Sequence, residues 1–102
     1  MPRISRNQDK CMTGHTCTGL APVRATQFTV FANNKPILRL GDPVKPHTIL
    51  RPVPKPPKCV IHRAKVKGSS RTVFVRGIGV ARKGDRADKG AMAQASFDVV
   101  AG

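Results

Sequence analysis

The sequence contains no Trp, no Tyr and only four Phe in 102 residues. Apolar residues make up 39% of it, so large core-forming side chains are few. Acids are scarcer still, with five Asp+Glu against 19 Lys+Arg and a net charge of +14. No Glu stands beside any candidate metal ligand to act as a base, which argues against an open-site metalloenzyme. No apolar run approaches the roughly 20 residues of a membrane-spanning helix. The opening MPRISRNQDK lacks the apolar core of a signal peptide, so export is expected to use a route that needs none. Helical periodicity is also missing, because nine Gly and nine Pro interrupt almost every window.

These shortages predict a single domain over residues 1–102 that needs a staple. A chain of this length buries only roughly 60–65% of its unfolded surface. Ordering costs ~1.5 kcal/mol per residue, and a few Val, Ile and Phe are a thin supply against that. Cysteine is odd in number, with Cys11, Cys17 and Cys59, so a full disulfide framework leaves one thiol over. The three histidines, His15, His47 and His62, lie among these thiols, a mixture that suits metal binding better.

What is present is a set of short β-branched runs: 27–31, 36–40, 72–75, 78–82 and 96–100. Asn33-Asn34 separates the first two and Arg76-Gly77 the next two. Both are hairpin-turn signals, because Asn and Gly tolerate positive φ. The hairpins repeat in a shared frame of T-V-F, a two-residue turn and R-x-G-D, ending at Asp42 and at Asp85. A third copy is split across the termini. Ser96–Gly102 reads as the strand entering a hairpin, and Pro2–Asp9 as the strand leaving one, with Arg6 and Asp9 spaced like Arg39 and Asp42. The fold expected is therefore all-β: a small conical body of three pseudo-three-fold-related hairpins whose termini pair, with a metal near the apex. A hairpin this small cannot bury its own face, so the three must lean together. Residues 43–58 break the pattern as an excursion of polyproline character, and residues 86–95 form a shorter connection without His or Cys.

Ligand-type residues follow two of the three R-x-G-D-like ends. Cys11, His15 and Cys17 follow Asp9, His47 follows Asp42, and Cys59 and His62 close the proline-rich excursion. Imidazole and thiolate fit a closed tetrahedral zinc site, with iron an alternative. The expected ligands are His15, His47 and His62 with one thiol. Cys17, which shares a side with His15 if the segment is extended, ranks ahead of Cys59 in its C-x-x-H spacing, and Cys11 comes third. Asp9, Asp42 and Asp85 are expected to cap turns.

In order, the segments D-x-C-x-T-G-H-x-C, V-F-x-N-x-K-P-x-x-R-x-G-D-x-x-x-x-H, G-S-S-x-T-V-F-V-x-G-x-x-x-A-R-x-G-D and V-V-x-G resemble the PAAR-repeat family from Arg6 to Gly102. The resemblance implies a non-enzymatic structural tip that caps and sharpens a trimeric β-helical spike for piercing a target membrane. One chain would serve each trimer, contacting it through the strands around Val30, Val73 and Val99, with a structural metal near the apex. Such spikes belong to phage tails, the favoured setting here, or to type VI secretion systems. The sequence departs from the family at Lys89-Gly90, where Cys-Gly is common after R-x-G-D. The positive charge reads either as solubility or as contact with the phosphates of a target outer membrane. No specific nucleic acid is expected as a partner. A basic zinc-stabilised nucleic-acid-binding module is the alternative. It suits the charge, but lacks Tyr and Trp for base stacking and leaves the repeat unexplained.

Overall fold

The computed structural model describes residues 1–51 and 58–102. Ten short strands and no helix occur among them. Strands β1 (Lys10–Met12), β2 (Leu20–Pro22), β9 (Arg86–Ala87) and β10 (Gly90–Met92) form one antiparallel sheet in the order β2-β1-β10-β9. Three separate hairpins complete the set: β3 (Phe31–Ala32) with β4 (Lys35–Pro36), β5 (Pro43–Arg51) with β6 (Lys58–Lys65), and β7 (Phe74–Val75) with β8 (Ile78–Gly79).

The two expected hairpin turns form because their residues enter the left-handed region. Asn33 and Asn34 have φ of 53° and 65°, and Arg76 and Gly77 have 53° and 80°. The strands flanking them are shorter than expected. Residues 27–30 bend instead around the Gln27 side chain, whose Oε1 accepts from the N–H groups of Thr29 and Val30. Ser70 Oγ does the same for Thr72 and Val73, and Ser96 Oγ for Asp98 and Val99. At each bend the last carbonyl is already occupied: Val30, Val73 and Val99 accept from Ile37, Val80 and Ile4.

Beneath these bends the chain closes on itself. Ser5 N–H donates to Ala81, Ala81 N–H to Leu38, and Leu38 N–H to Ser5, a ring of three backbone bonds of 2.9–3.0 Å. Bridges Arg6↔Ile37, Arg39↔Val80 and Arg82↔Ile4 flank the ring. The termini pair as well, through Arg3↔Val100 and a bond from Ala101 N–H to Pro2. Period-two alternation divides the core around this ring. Ile4, Ile37 and Val80 join Ala32, Val75 and Ala101 on one side, while Leu38 and Ala81 join Val23, Val44, Val66 and Met92 on the other.

The two R-x-G-D segments and the equivalent Arg6–Asp9 segment form the expected turns. In each, the carboxylate accepts the N–H of the arginine three residues earlier, at 2.7–2.8 Å: Asp9 from Arg6, Asp42 from Arg39, Asp85 from Arg82. Arg6 and Arg82 also reach their own Asp with the guanidinium. Arg39 differs, because its side chain turns inward to Thr26 and the Val75 carbonyl, and Thr26 takes over the contact with Asp42.

One expectation is corrected. The proline-rich excursion is not polyproline where it is described: Pro43–Arg51 and Lys58–Lys65 form a long antiparallel hairpin. Its register slips between Val44 and His47, so that Lys45 and Pro46 bulge out opposite Arg63. A bulge lets Pro46, which has no N–H, sit in a strand. The remainder of the expected polyproline stretch, residues 52–57, lies outside the described residues.

Candidate metal centre

The long hairpin sets up the site. His47 on β5 lies directly opposite His62 on β6, so both face the same way. His15 arrives from the loop between β1 and β2, which is fixed by Thr13: its N–H bonds the Gly19 carbonyl, and its Oγ1 accepts from His15 N–H. The turn between β9 and β10 supplies a fourth group, Asp88, held at a φ of 55° that Asp tolerates better than most residues. Gly90 is obligatory behind it, because a Cβ there would stand 1.9 Å from the Met12 carbonyl oxygen.

The three imidazoles converge on the Asp88 carboxylate. His15 Nε2 is 3.0 Å from Oδ1, His62 Nε2 is 3.2 Å from Oδ1, and His47 Nε2 is 2.6 Å from Oδ2. The ring centroids are 5.0–5.7 Å apart, and the four ligand-type atoms all lie within 4.8 Å of one another. The Asp88 and His47 side chains are nearly sealed from solvent, at 3% and 2% exposure, whereas His62 keeps 31%. Burial pushes the Asp88 carboxyl up, and hydrogen bonds from His15, His47 and His62 more than reverse this, leaving it below the ordinary carboxylate range.

The donor chemistry fits a cation. His47 Nδ1 is 2.9 Å from the Lys45 carbonyl, which can only accept, so Nδ1 carries the proton. With Nδ1 protonated, Nε2 at 2.6 Å from a carboxylate oxygen needs positive charge between the two atoms, either a second ring proton that makes this the hydrogen bond named above or a cation in its place. A carbonyl behind the ring is also the usual device for orienting a metal-bound histidine. Tetrahedral zinc with bonds of about 2.0–2.1 Å needs ligand atoms about 3.3 Å apart, and the His–Asp88 distances of 2.6–3.2 Å, within a set spanning no more than 4.8 Å, are of that order.

The structure brings together His15, His47 and His62, and it separates Cys17 from them. Cys17 is joined to Cys59 in a disulfide, with Cα atoms 6.0 Å apart, so neither offers a thiolate here. The expectation for Cys17 rests on an extended segment, but the chain bends at Thr16 and Cys17 instead, so the alternation from His15 to Cys17 is lost. Cys59 is three residues from His62 on β6, and period two puts it on the opposite face. Cys11 is a free, buried thiol of the β-sheet core, and burial pushes it up to about 11.

Asp88 lies outside the ligand set expected from the sequence, because residues 86–95 carry no His or Cys. Two signals pointed to it. Three of the five acids are committed to the equivalent turns at Asp9, Asp42 and Asp85, leaving only Asp88 and Asp98, and Asp88 directly precedes the Lys89-Gly90 departure.

No curated protein matches the sequence. The family model described as the PAAR motif matches residues 13–95, which span His15, His47, His62 and Asp88 together with both R-x-G-D turns. This chain belongs to the PAAR motif family.

Proposed function

We propose that this protein is a structural tip that caps a trimeric β-helical spike in a contractile injection machine, one chain per trimer, with a metal ion fixing the piercing end. Family membership supports a spike-tip role. The observation that carries the finer reading is the exposure of the molecule's phenylalanines beside the ring of three backbone bonds. All four phenylalanines, Phe28, Phe31, Phe74 and Phe97, are 52–73% exposed. Phe31 and Phe74 occupy matching places in the two T-V-F hairpins, and Phe28 and Phe97 each follow a bend residue, Gln27 or Ser96. Large aromatics exposed in a repeated arrangement mark an interaction surface, and a blunt trimer end offers a repeated partner for it. The carbonyls of Val30, Val73 and Val99 are already occupied internally, so contact with the spike runs through these side chains rather than through those backbone groups.

At the other end His15, His47, His62 and Asp88 would hold zinc, with iron the alternative. Three imidazoles and a carboxylate fill a tetrahedral shell and leave no open position for water, the arrangement of a structural rather than a catalytic ion. The ion supplies rigidity when bound. The chain's own parts hold the loop and both hairpin strands together around it: Lys45 orients His47, the Asp88 turn is locked by Gly90, and Cys17–Cys59 ties the loop to β6. The machine is a contractile phage tail or a type VI secretion system, the two settings that family membership supports.

Co-expression with the cognate trimeric spike, followed by native mass spectrometry, tests both parts. The expected species is one chain on three spike chains, carrying one zinc or iron. A monomeric chain with no affinity for the spike would overturn the capping role.

A further inference from the structure

Beside the metal centre lies a groove that none of the functions above uses. Its volume is about 560 Å³, and its lining includes none of the four metal-centre residues and none of the phenylalanines. The floor is apolar, made by Pro22, Pro43, Val44, Pro46 and Ala64. Around it stand Arg24, Lys45, Arg63 and Lys65, all exposed, with no carboxylate in the lining. None of these four cations takes part in an ion pair among the described residues. The bulge creates the groove, since Lys45 and Pro46 swing out of register opposite Arg63.

We infer that this groove binds an anionic phospholipid, its phosphate among the four cations and its first methylenes on the proline floor. Charge complementarity calls for an anion, and the apolar floor calls for an anion with a hydrocarbon part. An acidic peptide is disfavoured by the backbone chemistry. Three lining residues are prolines without N–H groups, and the β5 edge is already bridged to Val23 and bonded by Arg24 N–H at the Pro43 carbonyl. A nucleic acid is disfavoured because no aromatic ring lines the groove for base stacking. The inference goes beyond capping, and gives the tip a defined contact with the membrane it meets.

The test uses the full metal-loaded chain and dihexanoylphosphatidylglycerol below its micelle concentration, followed by amide NMR. Shifts are expected to cluster at Arg24, Val44, Lys45 and Ala64. Flotation with phosphatidylcholine vesicles containing phosphatidylglycerol should then weaken about thirtyfold in R24A/R63A, from the known worth of basic residues at an anionic surface. The charge-matched K35A/R71A should lose less than about threefold if the site is local. Retained metal content and amide dispersion in both variants establish that they are folded. Equal losses in the two variants overturn the site in favour of diffuse charge. Equal saturation by inorganic phosphate or glycerophosphoglycerol overturns the lipid. Tighter occupation of the groove by a single-stranded oligonucleotide or a polyglutamate peptide overturns it in favour of that class. Because the groove and the phenylalanines share no residue, spike capture by R24A/R63A reads the capping role independently.

Discussion

The two ends of this molecule solve the same problem by different means. At the ring end, order comes from backbone closure. Three N–H groups chase three carbonyls around Ser5, Ala81 and Leu38, side chains of Gln27, Ser70 and Ser96 cap three bends, and the termini pair. At the loop end no such ring occurs among the described residues. The 13–19 loop, the β5–β6 hairpin and the β9–β10 turn meet around side chains: three imidazoles, a carboxylate and a disulfide. Repetition suffices where short segments can bond to copies of themselves. Cross-links are needed where the connections differ in length and cannot.

The largest expected effect is therefore loss of the metal. A closed structural site contributes an apparent ~10–16 kcal/mol to folding, more than the usual stability of a whole domain. Chelation, or His47→Ala, should release the metal and expose the loop end, read as rapid hydrogen exchange at His15–Thr18 and along β5 and β6. Exchange in the ring, at Ser5, Leu38 and Ala81, should rise less. Equal collapse at both ends would erase the distinction drawn here. Metal-free protein with full protection in the β5–β6 hairpin would remove the staple altogether.

Gly90→Ala comes next. The added Cβ would meet the backbone of Met12 rather than a flexible side chain, so β1 and β10 must separate and Asp88 must move. A loss on the order of 5 kcal/mol is expected, together with weaker metal binding. At the ring end Gly41→Ala gives the contrast. Its φ is 87°, but nothing lies within 4 Å of an added Cβ, so only the backbone penalty of about 1–2 kcal/mol applies. Denaturant melts of the two variants, with metal content measured alongside, would check the ratio.

How far the sequence revealed each end follows the same division. The ring end was legible because its devices are local: Asn33-Asn34, Arg76-Gly77 and each R-x-G-D act within a few residues. The loop end was legible only in its histidines, whose rarity made them stand out. Asp88 looks like any turn acid until the fold carries it to three imidazoles from elsewhere in the chain. The Cys17–Cys59 bridge spans 42 residues, and no local pattern encodes such a pairing. Pro43 and Pro46 argued against a strand, and the bulge that admits Pro46 is a product of pairing with β6.

The disulfide ranks third. A closed loop of this length stabilises by about 4 kcal/mol through chain entropy. Cys17→Ser with Cys59→Ser should lower the melting temperature while metal is still bound, because neither sulfur is a ligand in this arrangement. If the double variant also loses its metal, one of these cysteines ligates in the reduced protein and Asp88 is not the fourth ligand. Asp88→Asn separates the cases. It should weaken metal binding under oxidising and reducing conditions alike, while leaving the bridge intact.

The smallest effect on stability is expected at the ring end's outer face. Phe97 is 73% exposed, so Phe97→Asp should change folding stability by no more than about 0.5 kcal/mol in either direction. Capture by the spike should nevertheless fall sharply, since an aromatic at the centre of an interface can carry 2 kcal/mol or roughly more of its binding energy. The same substitution at Ile61, 76% exposed on the long hairpin, supplies the control from the other end. It should leave both stability and spike capture unchanged. If Ile61→Asp abolishes capture and Phe97→Asp does not, the molecule is mounted the other way round, and the metal end faces the spike. If both retain capture, the exposed phenylalanines serve some other partner. A loss at Phe97 alone would fix the polarity of the tip and explain why a chain so short of large apolar side chains leaves its phenylalanines outside its own core.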